Sequence, residues 1–198
     1  MALTDGMKAM FVTDLTDYKT AAEGDAEGKG TVRYDSKGNC YRWVKNLDAF
    51  AARAGGPACY DLTNNGAAAD ILDECTVDGA DADIQLFAGI WMSDVPALGF
   101  GWIMTKGRYD EARVAVASGA TLAIGDRLIP STLTATTGTA AAAAYSFILG
   151  PDISMDVEDA TAVTLATLLA PHVVALEAAT ALTTTLPTTH DVFVQGVI

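Results

Sequence analysis

The chain has 198 residues, 51% of them hydrophobic and 19% charged, and its 12 Lys and Arg against 25 Asp and Glu give a formal net charge of −13. That length suffices for one large domain or two small ones around a real core. The charge argues against nucleic acid as a partner, because affinity for a phosphate backbone comes from cationic side chains that neutralise it.

Charged residues also fall short of the roughly 25% usual in soluble domains. Part of the apolar surface is therefore expected to meet another subunit, although the abundance of Ala keeps the area per residue small. The opening MALTDGMKAM carries Asp5 and lacks a long apolar core, so no secretory signal is read. From there to the Gly-rich, acidic AAEGDAEGKG, residues 1–30 read as an extended polar arm. Next comes GKGTVRYDSKGNCYRWVKN, residues 28–46, where Lys29, Arg33, Lys37, Arg42 and Lys45 alternate with Tyr34, Tyr41 and Trp43. Residues 31–34 and 40–44 are β-prone runs around the turn residues DSKGN, which predicts a hairpin. Alternation along its second strand puts Tyr41 and Trp43 on one face and Arg42 with Val44 on the other.

Residues 47–83 read as loops with turns at Gly55 to Pro57 and at 64–66, and a helical turn over 70–74. Strands are predicted at 84–91, 99–105, 112–117 and 121–129, with turns at 93–96, 106–107, 118–119 and 125–126. Such close punctuation is the pattern of an antiparallel sandwich or barrel. Beyond Pro130 the sequence predicts a Thr-rich strand, a turn at Gly138 and a second run into Phe147. Ala140 to Ala144 favour helix by propensity, but their Thr, Tyr, Phe and Gly surroundings favour strand. Residues 161–169 fit helix or strand equally, and HVVALEAAT and DVFVQGVI are two final strands. The expected fold is mainly β: an antiparallel β-sandwich or barrel-like domain with an extended, loop-rich N-terminal region. Its expected parts are the arm at 1–30, a hairpin and loop-rich β region at 31–105, and an antiparallel β domain at 106–198. No apolar run approaches the roughly 18 residues of a spanning helix, so no membrane partner is expected. Synthesis in a cytoplasm as a soluble protein follows as an expectation.

Chemistry is hard to find. His172 and His190 are the two histidines, and neither a Gly-x-Ser-x-Gly elbow nor an HExxH helix accompanies them. They read as structural or surface groups. Phosphate-cradling glycine loops are missing too, which removes a nucleotide cofactor. Asp61, Thr63, Asn65 and Gly66 begin like a calcium loop, but Leu72 stands at the twelfth position in place of a bidentate Glu. The acidic stretch at 73–83 is therefore read as a solvated loop. Cys40, Cys59 and Cys75 are odd in number and lack CxxC spacing, so a metal knuckle is not expected and at most one internal disulfide can form. Catalytic, cofactor and metal residues are thus all expected to be absent. Trp43, Trp91, Phe100 and Trp102 lie in strand-like segments, where most aromatics form core and some anchor interfaces.

The order GTVRYDSKGNCYRWVKN, FGWIMTKGRYDEARVAVASGATLAIGDRLIPS, HVVALEAAT and VFVQGVI resembles the capsid decoration, or cement, proteins of tailed bacteriophages and related virion structural proteins. The shared features are a Gly-aromatic strand leading into a Gly turn, a Gly-Asp turn matched at Ile124 to Leu128, and a late ALE strand before the terminal one. The resemblance implies a β-rich homotrimer on the outer capsid surface of the virion, bound to the major capsid protein and stabilising the shell. On that basis Arg33, Arg42 and Lys45 are expected to meet acidic capsid residues, with Tyr34, Tyr41 and Trp43 in the same docking edge. Trp91 and Trp102 are further interface candidates. The alternative expectation is a carbohydrate- or receptor-binding virion protein, with exposed Trp43, Trp91 or Trp102 stacking on sugar rings.

Overall fold

The structure, a computed structural model, describes residues 12–60, 73–77, 87–115, 121–131, 146–149, 173–179 and 188–195. Among these residues there are eleven strands and no helix. They are β1 (Tyr18–Lys19), β2 (Val32–Tyr34), β3 (Cys40–Asn46), β4 (Pro57–Tyr60), β5 (Glu74–Thr76), β6 (Phe87–Trp91), β7 (Phe100–Val114), β8 (Arg127–Pro130), β9 (Phe147–Leu149), β10 (Val173–Ala175) and β11 (Thr188–Val194). The mainly β fold with a loop-rich N-terminal region is as the sequence predicts.

β7 organises the molecule. Its 15 residues serve two closed circuits of strand pairing. In the first, β7 pairs with β3, β3 with β5, β5 with β4, β4 with β6, and β6 returns to β7. In the second, β7 pairs with β11, followed by β10, β8 and β9, and β9 returns to β7 in parallel. Each circuit has five strands, the closed barrel arrangement that leaves no edge open within it.

The partner change falls in the middle of β7. Residues up to Lys106 pair with β3, and Gly107 opens the register with β11. The turn expected at 106–107 is therefore a bend inside one continuous strand. Gly107 has φ 130, and a Cβ there would lie 2.0 Å from Asn39 Oδ1 and 2.9 Å from Asn39 Cβ. Only glycine lets the strand bend against that side chain without breaking its ladder.

Two apolar cores follow from alternation across these strands. Val44, Ala58, Tyr60, Cys75, Ala88, Trp91, Val95 and Ile103 belong to one. Tyr41, Trp43, Trp102, Met104, Val114, Leu128, Phe147, Val173, Val192 and Val194 belong to the other. Neighbours along β3 and β7 thus serve opposite sides, as period-2 strands must.

Other expectations need adjustment. Glu74 opens β5 rather than closing a helical turn, because Glu74 and Cys75 are recruited to pair with Lys45 and Asn46 of β3. The strand expected at 121–129 is reduced to a single bridge, Leu122 with Ala179, then a turn with Gly125 at φ 94, and β8 begins only at Arg127. The hairpin is present as β2 and β3, and the predicted late strands appear as β10 and β11. His172, the calcium-like segment at 61–72, the turns at 118–119 and at Gly138, and residues 161–169 lie outside the described residues.

Candidate docking surface

The β2–β3 hairpin is set by its turn. Asp35 N donates to Asn39 O, and the Asp35 carboxylate accepts from the backbone N–H groups of Lys37 and Asn39, from Asn39 Nδ2 and from the Tyr41 hydroxyl. Burial works to raise the Asp35 carboxyl, but these hydrogen bonds outweigh it and hold the group below its ordinary value. An aspartate at the head of the loop thereby fixes register, face and twist for both strands.

Register then decides which side chains are available. Val32 lies opposite Arg42, Arg33 opposite Tyr41, and Tyr34 opposite Cys40. Tyr41 and Trp43 share one face, as alternation predicts, but that face is covered. Trp43, Trp91 and Trp102 have no exposed surface and Tyr41 has 4%. These four candidates are core groups, which corrects their assignment as anchors. Over Trp43 and Trp102 the cover is the N-terminal region. Trp43 Nε1 donates to Asp25 Oδ1 at 2.8 Å, and Trp102 Nε1 donates to Thr13 Oγ1 at 2.9 Å. Thr13 Oγ1 in turn donates to Glu27 Oε1 at 2.7 Å, while Leu15 packs on the same core. A polar segment has become the lid over two tryptophans because it supplies acceptors that their N–H groups need.

The basic candidates are also engaged within the chain. Arg33 Nη1 donates to Thr13 O at 3.3 Å, and Arg42 Nη1 donates to the Tyr60 hydroxyl at 2.8 Å. Burial pushes the Tyr60 hydroxyl up to about 12, with Cys75 adding to the shift and Arg42 partly offsetting it. Lys45 is half-buried, its backbone N–H bonded to Asp73 O. Lys29, in the same basic stretch, pairs with Glu74 at 2.8 Å. Of the cations in this stretch, Lys37 is the exposed one, at the hairpin tip.

What the hairpin does present is apolar. Tyr34 is 71% exposed and Val32 is 37% exposed, two residues apart on the same face of β2. Among the described residues β2 is also the last strand on its side of the sheet order, and its outer backbone edge pairs with no other described strand. The Tyr34 hydroxyl is held above its ordinary value through a hydrogen bond with Cys40. Val32 is neither aromatic nor cationic and so escaped the sequence expectations, although its i, i+2 spacing from Tyr34 was the available signal. Ile124 in the turn before β8, Leu176 just after β10 and Phe193 of β11 are further exposed apolar residues.

One polar cluster was not foreseen either. His190 Nδ1 lies 3.0 Å from Glu177 Oε1, and His190 Nε2 lies 2.6 Å from Thr188 Oγ1. Glu177 also accepts from Asp191 N, so the cluster fastens the segment after β10 to β11. His190 is 7% exposed, which suits a structural clasp better than a group that meets substrate. Cys40, Cys59 and Cys75 form no disulfide with one another. Among the described residues there is no cluster of three or more potential metal ligands, and no helix long and apolar enough to cross a membrane.

No protein-family model, no curated protein and no solved structure matches this chain.

Proposed function

We propose that this is a virion structural protein that decorates and stabilises the outer surface of a bacteriophage capsid by binding the major capsid protein. The observation that carries the reading is the outer face of the hairpin. Tyr34 and Val32 stand exposed on an edge strand, with Lys37 at the tip and Arg42 alongside. Aromatic area beside cationic groups is the composition that anchors protein interfaces. The docking edge accordingly loses Tyr41 and Trp43, keeps Tyr34 and gains Val32.

The closed pairing circuits support the same reading, since a protein held on a shell under internal pressure gains from a rigid body with few open edges. Ile124, Leu176 and Phe193 provide separate apolar area for assembly into a trimer. Catalysis, a cofactor, nucleic acid and a membrane have no place in this proposal. The glycan-binding alternative loses its stacking groups, because Trp43, Trp91 and Trp102 are fully buried. Cosedimentation with undecorated phage heads tests the proposal: stoichiometric pelleting supports it, and a protein left in the supernatant removes it.

A further inference from the structure

Outside the hairpin, the segment at 53–56 folds against the second half of β7. Arg113 N donates to Gly55 O at 2.9 Å, and a Cβ on Gly55 would lie 2.2 Å from Glu111 O and 3.3 Å from Arg113 Cγ. This backbone contact places the Arg113 side chain beside the segment that carries Arg53. Arg53 Nη1 pairs with Asp94 Oδ2 at 3.3 Å, and Asp94 Oδ1 accepts from Ala54 N at 2.8 Å. Asp94 is thus already committed twice. Arg113 Nε, by contrast, is buried with no hydrogen-bond partner among the described residues. Its guanidinium is half-buried, and both that burial and the like charge of Arg53 work against its ionised form, with Asp94 offsetting only part.

A half-buried guanidinium whose nearby carboxylate, Asp94, is already bonded to Arg53 and Ala54 is incompletely compensated, and a chain with 25 acidic groups against 12 basic ones does not lack carboxylates. We propose that Arg113, with Arg53 beside it, is a receptor for a carboxylate supplied by a second copy of this chain. The guanidinium fork holds such a group through paired, charge-assisted N–H donors, which fixes orientation as well as affinity. Charge complementarity points to a second copy: a chain of net charge −13 presents carboxylates on its own surface, with Asp110 and Glu111 exposed on this very strand. The inference rests on the trimer of the proposed function and adds to it an ionic contact remote from the hairpin.

Sedimentation equilibrium of wild type, Arg113→Gln and Arg113→Lys over a range of protein and sodium chloride concentrations tests it, with far-UV circular dichroism to check folding. The expected result is a wild-type oligomer that dissociates at a protein concentration roughly tenfold or more higher in Arg113→Gln, with Arg113→Lys between them. Added salt should weaken the wild type more than Arg113→Gln, because the screened ion pair is present only in the former. Arg113→Gln should keep its β spectrum, since the buried Nε loses no partner. An Arg113→Gln oligomer as tight as wild type overturns the receptor and leaves the trimer standing. A monomeric wild type overturns both, while capsid docking is judged separately by cosedimentation.

Discussion

Trp43 and Trp102 meet edge to face, with ring centroids 5.3 Å apart and planes at 64°, and both are fully buried. They sit directly opposite each other in the β3–β7 register, and each sends its N–H to a residue of the N-terminal region. The contact therefore ties the long central strand, the hairpin and the arm into one unit. Trp102→Ala is expected to destabilise the fold by about 3–5 kcal/mol, through lost burial and the cavity left behind. Asp25→Ala and Thr13→Ala leave the rings in place but strand an indole donor, for about 1–3 kcal/mol each. Urea denaturation of the three variants checks this order, and a Thr13→Ala or Asp25→Ala midpoint equal to wild type would show that the arm is not a lid.

Two glycines separate backbone strain from steric conflict. Gly38 has φ 84 and open space where a Cβ would stand, with nothing within 4 Å, whereas Gly107 has φ 130 and Asn39 in the way. Gly38→Ala should cost about 1 kcal/mol, the penalty of a left-handed L-residue. Gly107→Ala should cost at least about 2 kcal/mol more, since Asn39 must leave Asp35 and β7 must straighten. Equal thermal midpoints for the two variants would contradict the role given to Gly107.

Stability is expected to fall at both ends of the pH scale for identifiable reasons. Burial pushes Tyr60 and Tyr109 up to about 12, with Cys75 assisting at Tyr60 and Glu111 and Asp110 at Tyr109. Because the folded values lie above the unfolded value near 10, their stabilisation is complete below about pH 10 and is lost as the pH rises toward 12. Asp35 has the opposite sign: its lowered carboxyl stabilises the hairpin at neutral pH, and that contribution is lost as the pH falls below the ordinary carboxylate range. Ultraviolet titration should show two tyrosines ionising only as the fold is lost in alkali, and Asp35→Asn should flatten the acid limb of a pH–stability curve. Normal ionisation of all six tyrosines near pH 10 would contradict the alkaline half.

The hairpin, the two faces of its second strand and the late strands were legible in the sequence because their signals are local: β-branched and aromatic residues alternating around Asp35, Gly38 and Asn39. The continuity of β7 was not, since whether Gly107 ends or bends a strand depends on Asn39, which is distant in sequence. Burial of the aromatics was half legible. Alternation assigned Tyr41 and Trp43 to one face, but nothing local shows that Thr13 and Asp25 close over that face. Tyr34 belonged to the predicted set and stays at the surface, while Val32 and Arg113 carried too little chemical distinction to be singled out. Their significance comes from exposure and from a missing partner, both of which are properties of the folded surroundings.

The central claim is that the outer hairpin face docks on a capsid, and cosedimentation of wild type, Tyr34→Ala and Trp43→Ala with undecorated phage heads addresses it most directly. The account predicts that wild type saturates the heads. Tyr34→Ala should bind about 2 kcal/mol more weakly, as for a single aromatic anchor, with an unchanged melting temperature. Trp43→Ala should lose stability first and binding only as a consequence. Full binding by Tyr34→Ala, or a wild type that never pellets with heads, would contradict it.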